Sequence, residues 1–181
     1  HLNPVTGEAQ ASFPLAGTAE VEVAVARAEA VRETWRRTPP EARRHLLNRL
    51  ADLIDANAEE FAKMAALDGG TPLTMGSRGA MLASMWTRYY AGWCDKLTGD
   101  VMSTFDTRGE FSYSVPEPIG IVGIINTWNG PLIGIGMKVI PALAAGNCVI
   151  LKPAEITPFA PELFAQCAKE AGVPDGVLAI L

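Results

Sequence analysis

Four neighbouring side chains that could bind or transform a small molecule follow two apolar segments of the sequence. Trp128 and Asn129 come after the first segment, and Lys152 and Glu155 come after the second. If both segments are strands of one parallel sheet, ligands bind beyond their carboxyl ends. An amide donor, an ammonium and a carboxylate would then converge beside an aromatic ring, which indicates a binding crevice for a small polar molecule.

Each of these residues also has a purely structural interpretation. Asn129 could cap a helix that begins at Pro131. Lys152 and Glu155 could form a solvated ion pair worth about 0–1 kcal/mol. Trp128 could serve packing alone. The sequence leaves both interpretations open, and the convergence on one crevice favours the functional one.

No phosphate-binding turn is recognisable beside this crevice. Neither apolar segment is followed by Gly-x-Gly-x-x-Gly or by a Walker loop, and Gly134 and Gly136 lie inside a predicted helix. Any phosphate group must therefore be held by residues elsewhere.

The carboxyl-terminal third of the chain alternates strands and helices. The predicted elements are a strand at 119–125, a helix at 131–145, a strand at 148–151, a helix from Thr157-Pro158 to Gly172, and a strand at 177–181. This order predicts a parallel sheet with crossover helices. We expect the natural chain to continue past Leu181, because a sheet that stopped there would have an uncovered edge.

The first hundred residues predict helices. Apolar positions recur at threes and fours from 19 to 37. Thr38 and Glu41 then have the spacing of a capping box that would start a second helix, and a third helical stretch covers about 76–96.

A β-hairpin is predicted between the helices and the parallel sheet. Apolar and polar residues alternate at 111–115, and a turn at 106–109 would join this run to 101–105. One face of the hairpin is apolar, so it covers another element or pairs with another subunit.

Composition excludes several classes of function. The 181 residues are 49% hydrophobic and 19% charged, with a formal charge of -5 and no basic stripe, so a nucleic-acid partner is not expected. No apolar run approaches the roughly 20 residues of a membrane helix. Three widely spaced cysteines, Cys94, Cys148 and Cys167, argue against a disulfide framework or a zinc site and fit a reducing cytoplasm.

Several sequence segments together resemble the aldehyde dehydrogenase superfamily. Residues 117–132 read EPIGIVGIINTWNGPL, residues 141–147 read PALAAGN after Lys138, and residues 151–155 read LKPAE before Thr157-Pro158. The resemblance extends through EAGVP at 170–174 with Gly176-Val177, NPVTGE at 3–8 and RYYAGW at 88–93. It therefore covers nearly the whole chain.

The resemblance implies a fold in three parts and a larger assembly. The expected parts are a helical amino-terminal part of the cofactor-binding domain (1–100), an oligomerisation β-hairpin (101–118) and the first βαβαβ half of a Rossmann-like sheet (119–181). A homodimer or homotetramer is expected.

The resemblance also implies an enzyme that oxidises an aldehyde to a carboxylic acid through a thioester on a cysteine. The asparagine that matches Asn129 holds the oxyanion of the tetrahedral intermediates with its side-chain amide. The family's glycine-rich pyrophosphate turn, its Glu-Leu-Gly-Gly segment with the general base, and its cysteine nucleophile all lie downstream of the matched segments. None of the three cysteines present is assigned as the nucleophile.

The cofactor implied by the resemblance is a nicotinamide dinucleotide. Residues matching Lys152 and Glu155 contact the hydroxyls of the adenosine ribose, and a carboxylate there favours NAD over NADP, while Lys152 leaves NADP possible. The strand-end segment that lies along the cofactor matches Ile125, Asn126, Thr127 and Trp128.

Two positions depart from the family pattern. Thr127 stands where the family usually has proline, and Gly130 stands where an aromatic ring is common beside the substrate channel. We hypothesise that Gly130, with Ile133, Gly134 and Met137 on the next helix turns, widens the pocket for a bulkier aldehyde.

Two other functions are compatible with the same residues. One is a non-catalytic truncated paralogue or split subunit that binds nucleotide or assembles with a partner. The other is a dehydrogenase that makes acyl-CoA from a semialdehyde, which shares the oxyanion asparagine and usually handles the ribose region differently.

Overall fold

The computed structural model describes residues 1–104 and 109–181, which form helices, one hairpin and one parallel sheet. The helices are α1 (Thr18–Arg36), α2 (Pro40–Ala56), α3 (Ala58–Gly69), α4 (Leu73–Ala91), α5 (Pro131–Ala144) and α6 (Phe159–Ala171). The strands are β1 (Val101–Met102), β2 (Ser112–Tyr113), β3 (Ile121–Ile125), β4 (Cys148–Lys152) and β5 (Leu178–Ile180). The predicted α/β class is confirmed.

The parallel sheet has the order β3-β4-β5, as the alternation of strands and helices predicts. Ile125 at the end of β3 pairs with Lys152 at the end of β4. The central strand β4 is buried from Cys148 to Leu151, which explains its continuous apolar run, because a parallel strand is covered on both faces. The two strand ends that carry the candidate site therefore lie side by side.

The predicted hairpin is present as the antiparallel pair β1 and β2. Val101 pairs with Tyr113, and Met102 pairs with Ser112. Residues 105–108, which include most of the predicted turn, lie outside the described residues. The side chains of Val101, Phe111 and Tyr113 are exposed, so none of the residues at 1–104 and 109–181 covers the apolar face of the hairpin.

The capping box predicted at Thr38 is wrong. α2 begins at Pro40 without a side-chain cap, and the Thr38 hydroxyl instead donates to Thr34 O at 3.1 Å, in the last turn of α1. Pro39 and Pro40 have no N–H group, so this helix start has fewer donors that need a cap. The helix predicted at 76–96 is α4, which begins three residues earlier and ends at Ala91.

A buried arginine joins the helical part of the chain to the sheet part. Arg43 of α2 donates from Nε to Ala144 O at 3.2 Å, and its guanidinium also donates to Thr38 O. Ala144 is the last residue of α5. A cation at this end complements the negative end of the helix dipole and satisfies a carbonyl without an intrahelical partner.

Helices α3 and α4 cross at a glycine. A Cβ atom added to Gly76 of α4 would lie 2.7 Å from the Cα of Ala62 in α3. Gly79, one turn later on the same helix, has nothing within 4 Å of the corresponding position. Of these two glycines, only Gly76 lies where a larger residue would push the two helices apart.

We expect Gly76→Ala to lower the free energy of unfolding by about 1–3 kcal/mol, because overpacking outweighs the better helix propensity of alanine. Gly79→Ala is the matched control and should raise it by up to about 1 kcal/mol. Denaturant unfolding of the two variants measures both effects. Equal effects from the two substitutions would contradict the close crossing.

Candidate functional site

The ends of β3 and β4 are joined directly by a backbone hydrogen bond. The N–H group of Asn126, the first residue after β3, donates to Lys152 O at 3.0 Å. The loop after β3 and the loop after β4 therefore start from the same point of the sheet edge, as expected for ligand-binding loops of a parallel sheet.

The side chain of Asn129 lies on the surface of the first loop. α5 begins after Gly130 with no side-chain cap, so the interpretation of Asn129 as a helix cap is wrong. Within residues 1–104 and 109–181, no hydrogen bond to the Asn129 amide is observed. This amide is exposed and available to a ligand.

The segment expected to lie along a cofactor divides into exposed and buried side chains. Ile125 is 79% exposed and Trp128 is 63% exposed, and Thr127 is also exposed. Such exposure of two large apolar side chains at a strand end suits a surface that is covered by a ligand or by protein. Asn126 differs, since it is only 4% exposed and its Nδ2 donates to Pro131 O at 2.8 Å.

Lys152 and Glu155 form an ion pair on the second loop. Both side chains are about half exposed, and the hydrogen bond from Lys152 is the main cause that lowers the pKa of Glu155. A pair this exposed contributes little to stability. Both partners thus have other hydrogen-bonding capacity free for a ligand.

Lys152 and Glu155 border a cleft of about 780 Å³ that also contains the amino-terminal segment 11–18. Phe159 of α6 and Leu181 line the same cleft. The segment 11–18 has no periodic pattern, so nothing in its sequence indicates that it forms one wall. Only the tertiary structure brings it there.

A second cavity, of about 270 Å³, lies between the Asn129 loop and helices α3 and α4. Asn129, Gly130 and Ile133 line it. Gly134 and Met137, predicted for the same pocket, do not line this cavity: Gly134 packs against Asn126, and Met137 is 49% exposed on α5.

Asp68 also lines this smaller cavity. Its carboxylate binds the start of α6, directly after the second loop. Asp68 is 5% exposed and accepts hydrogen bonds of 3.0 Å from the N–H groups of Phe159 and Ala160 at the start of α6. A carboxylate at this end of a helix satisfies free donors and complements the dipole. Sequence reasoning missed Asp68 because its partners are about 90 residues away.

The environment of Asp68 is only partly favourable to its charge. Burial raises the pKa of Asp68 to about 6, and the two backbone hydrogen bonds oppose that rise. Thr157, which lines the same cavity as Asp68, is 2% exposed. Its hydroxyl has no hydrogen-bond partner among the described residues.

The three cysteines are buried and free. Burial is the main cause that raises the pKa values of the Cys94 and Cys148 thiols, and it raises the pKa of Cys167 to about 11. A thiol is a nucleophile only as its thiolate. These cysteines are therefore packing residues.

No group of three or more histidine, cysteine or acidic side chains in residues 1–104 and 109–181 could hold a metal ion. In the same ranges, no helix combines the length and apolar character needed to cross a membrane.

The family model of the aldehyde dehydrogenase family matches residues 1–181. The chain belongs to the aldehyde dehydrogenase family. It is 40% identical to the phenylacetaldehyde dehydrogenase of Pseudomonas fluorescens, over 99% of this chain and 37% of that protein. The expected family is thus confirmed, and the chain spans little more than a third of this relative.

Two solved structures match the fold of nearly the whole chain. The chain is similar to an NADP-dependent enzyme of E. coli, with a TM-score of 0.96 and 29% identity. It is also similar to PnpE in complex with nicotinamide adenine dinucleotide, with a TM-score of 0.95 and 33% identity. Each match covers 99% of this chain and 37% of the other.

The position of Asp68 in this aldehyde dehydrogenase chain predicts a pH effect on stability. The folded state binds the proton of Asp68 more tightly than the unfolded chain, so its contribution to the free energy of unfolding falls as pH rises from about 4 to about 6. A difference of about two pKa units corresponds to about 2–3 kcal/mol.

We compare wild type with Asp68→Asn, which cannot titrate at this position. When the pH is lowered from 7 to 4, the difference in the free energy of unfolding should change by about 2–3 kcal/mol in favour of wild type. Denaturant unfolding at both pH values measures it, and other titrating groups cancel in the comparison. A difference that is constant with pH, or that moves in favour of the variant at pH 4, would contradict the assignment.

Proposed function

We propose that the protein carrying this chain oxidises an aldehyde to a carboxylic acid, with a nicotinamide dinucleotide as hydride acceptor. The observation that carries the proposal is the exposed amide of Asn129, in the loop after β3, which has no hydrogen-bond partner among the described residues. The Lys152–Glu155 pair lies at the end of the adjacent strand. Family membership supports the same reaction.

Asn129 acts as the oxyanion donor in this proposal. Addition of a thiolate to the aldehyde carbon places negative charge on the aldehyde oxygen, and Nδ2 of Asn129 donates to that oxygen. Loss of hydride gives a thioester, and hydrolysis by water releases the carboxylate and restores the thiol. A donor preorganised toward the developing charge lowers such a barrier by about 3–4 kcal/mol.

The thiolate of this reaction comes from outside these 181 residues. Cys94, Cys148 and Cys167 are buried and their pKa values are raised, so none supplies a thiolate near neutral pH. We assign the general base to residues outside this chain as well. This chain then contributes the oxyanion donor and part of the cofactor site.

The larger cleft fits the adenosine part of a dinucleotide. Its walls include apolar residues of segment 11–18 and Phe159, which suit a flat base, and Glu155 and Lys152 at its border suit ribose hydroxyls. When bound, the dinucleotide accepts the hydride. A carboxylate that accepts from the 2′-hydroxyl repels a 2′-phosphate, so we assign NAD as the preferred cofactor, with NADP tolerated because Lys152 adjoins Glu155.

The smaller cavity is the proposed site of the aldehyde side chain. Asn129, Gly130 and Ile133 line it together, and a Cβ at Gly130 would approach no atom closer than 3.9 Å. Glycine therefore leaves free the space that an aromatic side chain would occupy. We propose that this space admits a bulkier aldehyde.

The hairpin is the proposed oligomerisation surface. Phe111 and Tyr113 are 72% and 62% exposed, and their rings contact each other. An exposed apolar hairpin favours pairing with another subunit. We propose a homodimer or homotetramer in the cytoplasm, where three free thiols remain reduced.

We expect Asn129→Ala to lower kcat for aldehyde oxidation by about 10²–10³-fold, because it removes the donor to the oxyanion. The Kd of the dinucleotide should not change. Absorbance of NADH and a binding titration measure the two quantities. Asn48→Ala is the control, since Asn48 lies on α2 and lines neither cavity. Full activity of Asn129→Ala would overturn the proposed role.

We expect Gly130→Phe to lower kcat/KM for phenylacetaldehyde by about tenfold or more, because the ring fills the space proposed for a bulky side chain. Acetaldehyde, which does not need that space, is the internal control and should react as with wild type. An unchanged ratio of the two kcat/KM values would show that Gly130 does not set the size of the pocket.

A further inference from the structure

Asn126 occupies the point where the two candidate loops and α5 meet. Its backbone N–H donates to Lys152 O at 3.0 Å, and its side-chain Nδ2 donates to Pro131 O at 2.8 Å. The second bond spans residues 127–130, the stretch that contains Asn129. The side chain thus ties together the two ends of the loop that presents the proposed oxyanion donor.

Gly134 is matched to this side chain. A Cβ atom at Gly134 would lie 2.3 Å from Oδ1 and 3.1 Å from Cγ of Asn126. Because real Cβ contacts are never that short, any larger residue at 134 would displace the amide of Asn126 or shift α5. The Asn126 amide therefore takes the space that a side chain at 134 would need.

We infer that Asn126 is a positioning residue for Asn129, with Gly134 as the complement that admits its side chain. This inference rests on the proposed function, since it concerns the orientation of the proposed oxyanion donor. Asn126 acts through the loop and need not touch the substrate. Its role follows from geometry, because a donor is effective only when it is held in place before charge develops.

A second asparagine provides a matched control at the opposite end of α5. Asn147 is 5% exposed, and its Nδ2 donates to Ala142 O at 3.2 Å, near the end of α5. Its Oδ1 accepts from the N–H of Gly120 at 2.9 Å. Asn147 is thus as buried as Asn126 and bonds to the same helix, but it precedes β4 and lies far along the strands from Asn129.

The first test compares Asn126→Ala with Asn147→Ala. We expect Asn126→Ala to lower kcat for aldehyde oxidation by about tenfold or more, with an unchanged Kd for the dinucleotide. Asn147→Ala should lower the thermal midpoint by a similar amount and retain kcat. Equal losses of kcat in the two variants, or no loss in either, would overturn the inference, because a merely structural role predicts no difference.

Hydrogen exchange gives a readout that does not need activity. A peptide covering residues 126–134 should exchange faster in Asn126→Ala than in wild type, and Asn147→Ala should leave that peptide unchanged. Unaltered exchange in Asn126→Ala overturns the inference whatever the activity. Altered exchange in a protein that oxidises no aldehyde refutes the proposed function and retains the role of Asn126 in holding the loop.

The pairing of Asn126 with Gly134 is tested by a double-mutant cycle. In the wild-type background, Gly134→Ala should lower the thermal midpoint and kcat, because Cβ displaces the Asn126 amide. In the Asn126→Ala background the same substitution should raise the midpoint, because the space is free and alanine favours a helix. If Gly134→Ala changed the thermal midpoint by the same amount in both backgrounds, the proposed fit between Asn126 and Gly134 would be wrong. If Asn126→Ala fails to fold, Asn126→Ser replaces it in the cycle and in both assays.

Discussion

The site depends on the parallel register that places Ile125 beside Lys152. Because both strands run in the same direction, their carboxyl ends open on one edge, and the loops that follow share that edge. One hydrogen bond, from Asn126 N–H to Lys152 O, extends the ladder one residue past the strands. It holds the starts of the two loops together.

A buried polar side chain also bonds to the helix that follows each loop. Asn126 bonds to the first residue of α5, and Asp68 bonds to the first two residues of α6. Asp68 accepts from N–H groups at a helix start, which lack intrahelical partners, whereas Asn126 donates to a carbonyl group in the first turn of α5. The helical part of the chain therefore holds the start of α6, which follows the second loop, through Asp68.

Burial distinguishes the asparagine that we propose as oxyanion donor from the asparagine that we propose to position it. The amides of Asn129 and Asn126 are three residues apart, yet one is exposed and the other is 4% exposed. The same distinction applies to the cysteines, whose buried thiols have raised pKa values. Residue type alone does not distinguish the two asparagines, and their different burial is the basis for the different roles that we propose.

Sequence determined the order of elements, the parallel sheet and the adjacency of the two loops, because strand direction and connection order leave few topologies. It also identified the family through residues 117–155. Tertiary structure alone decided that Asp68 caps α6, that segment 11–18 forms a wall of the larger cleft, and that Gly134 accommodates Asn126. These contacts join residues that are far apart in the sequence or depend on how helices and loops pack. Local patterns of hydrophobicity or turn residues do not predict such packing.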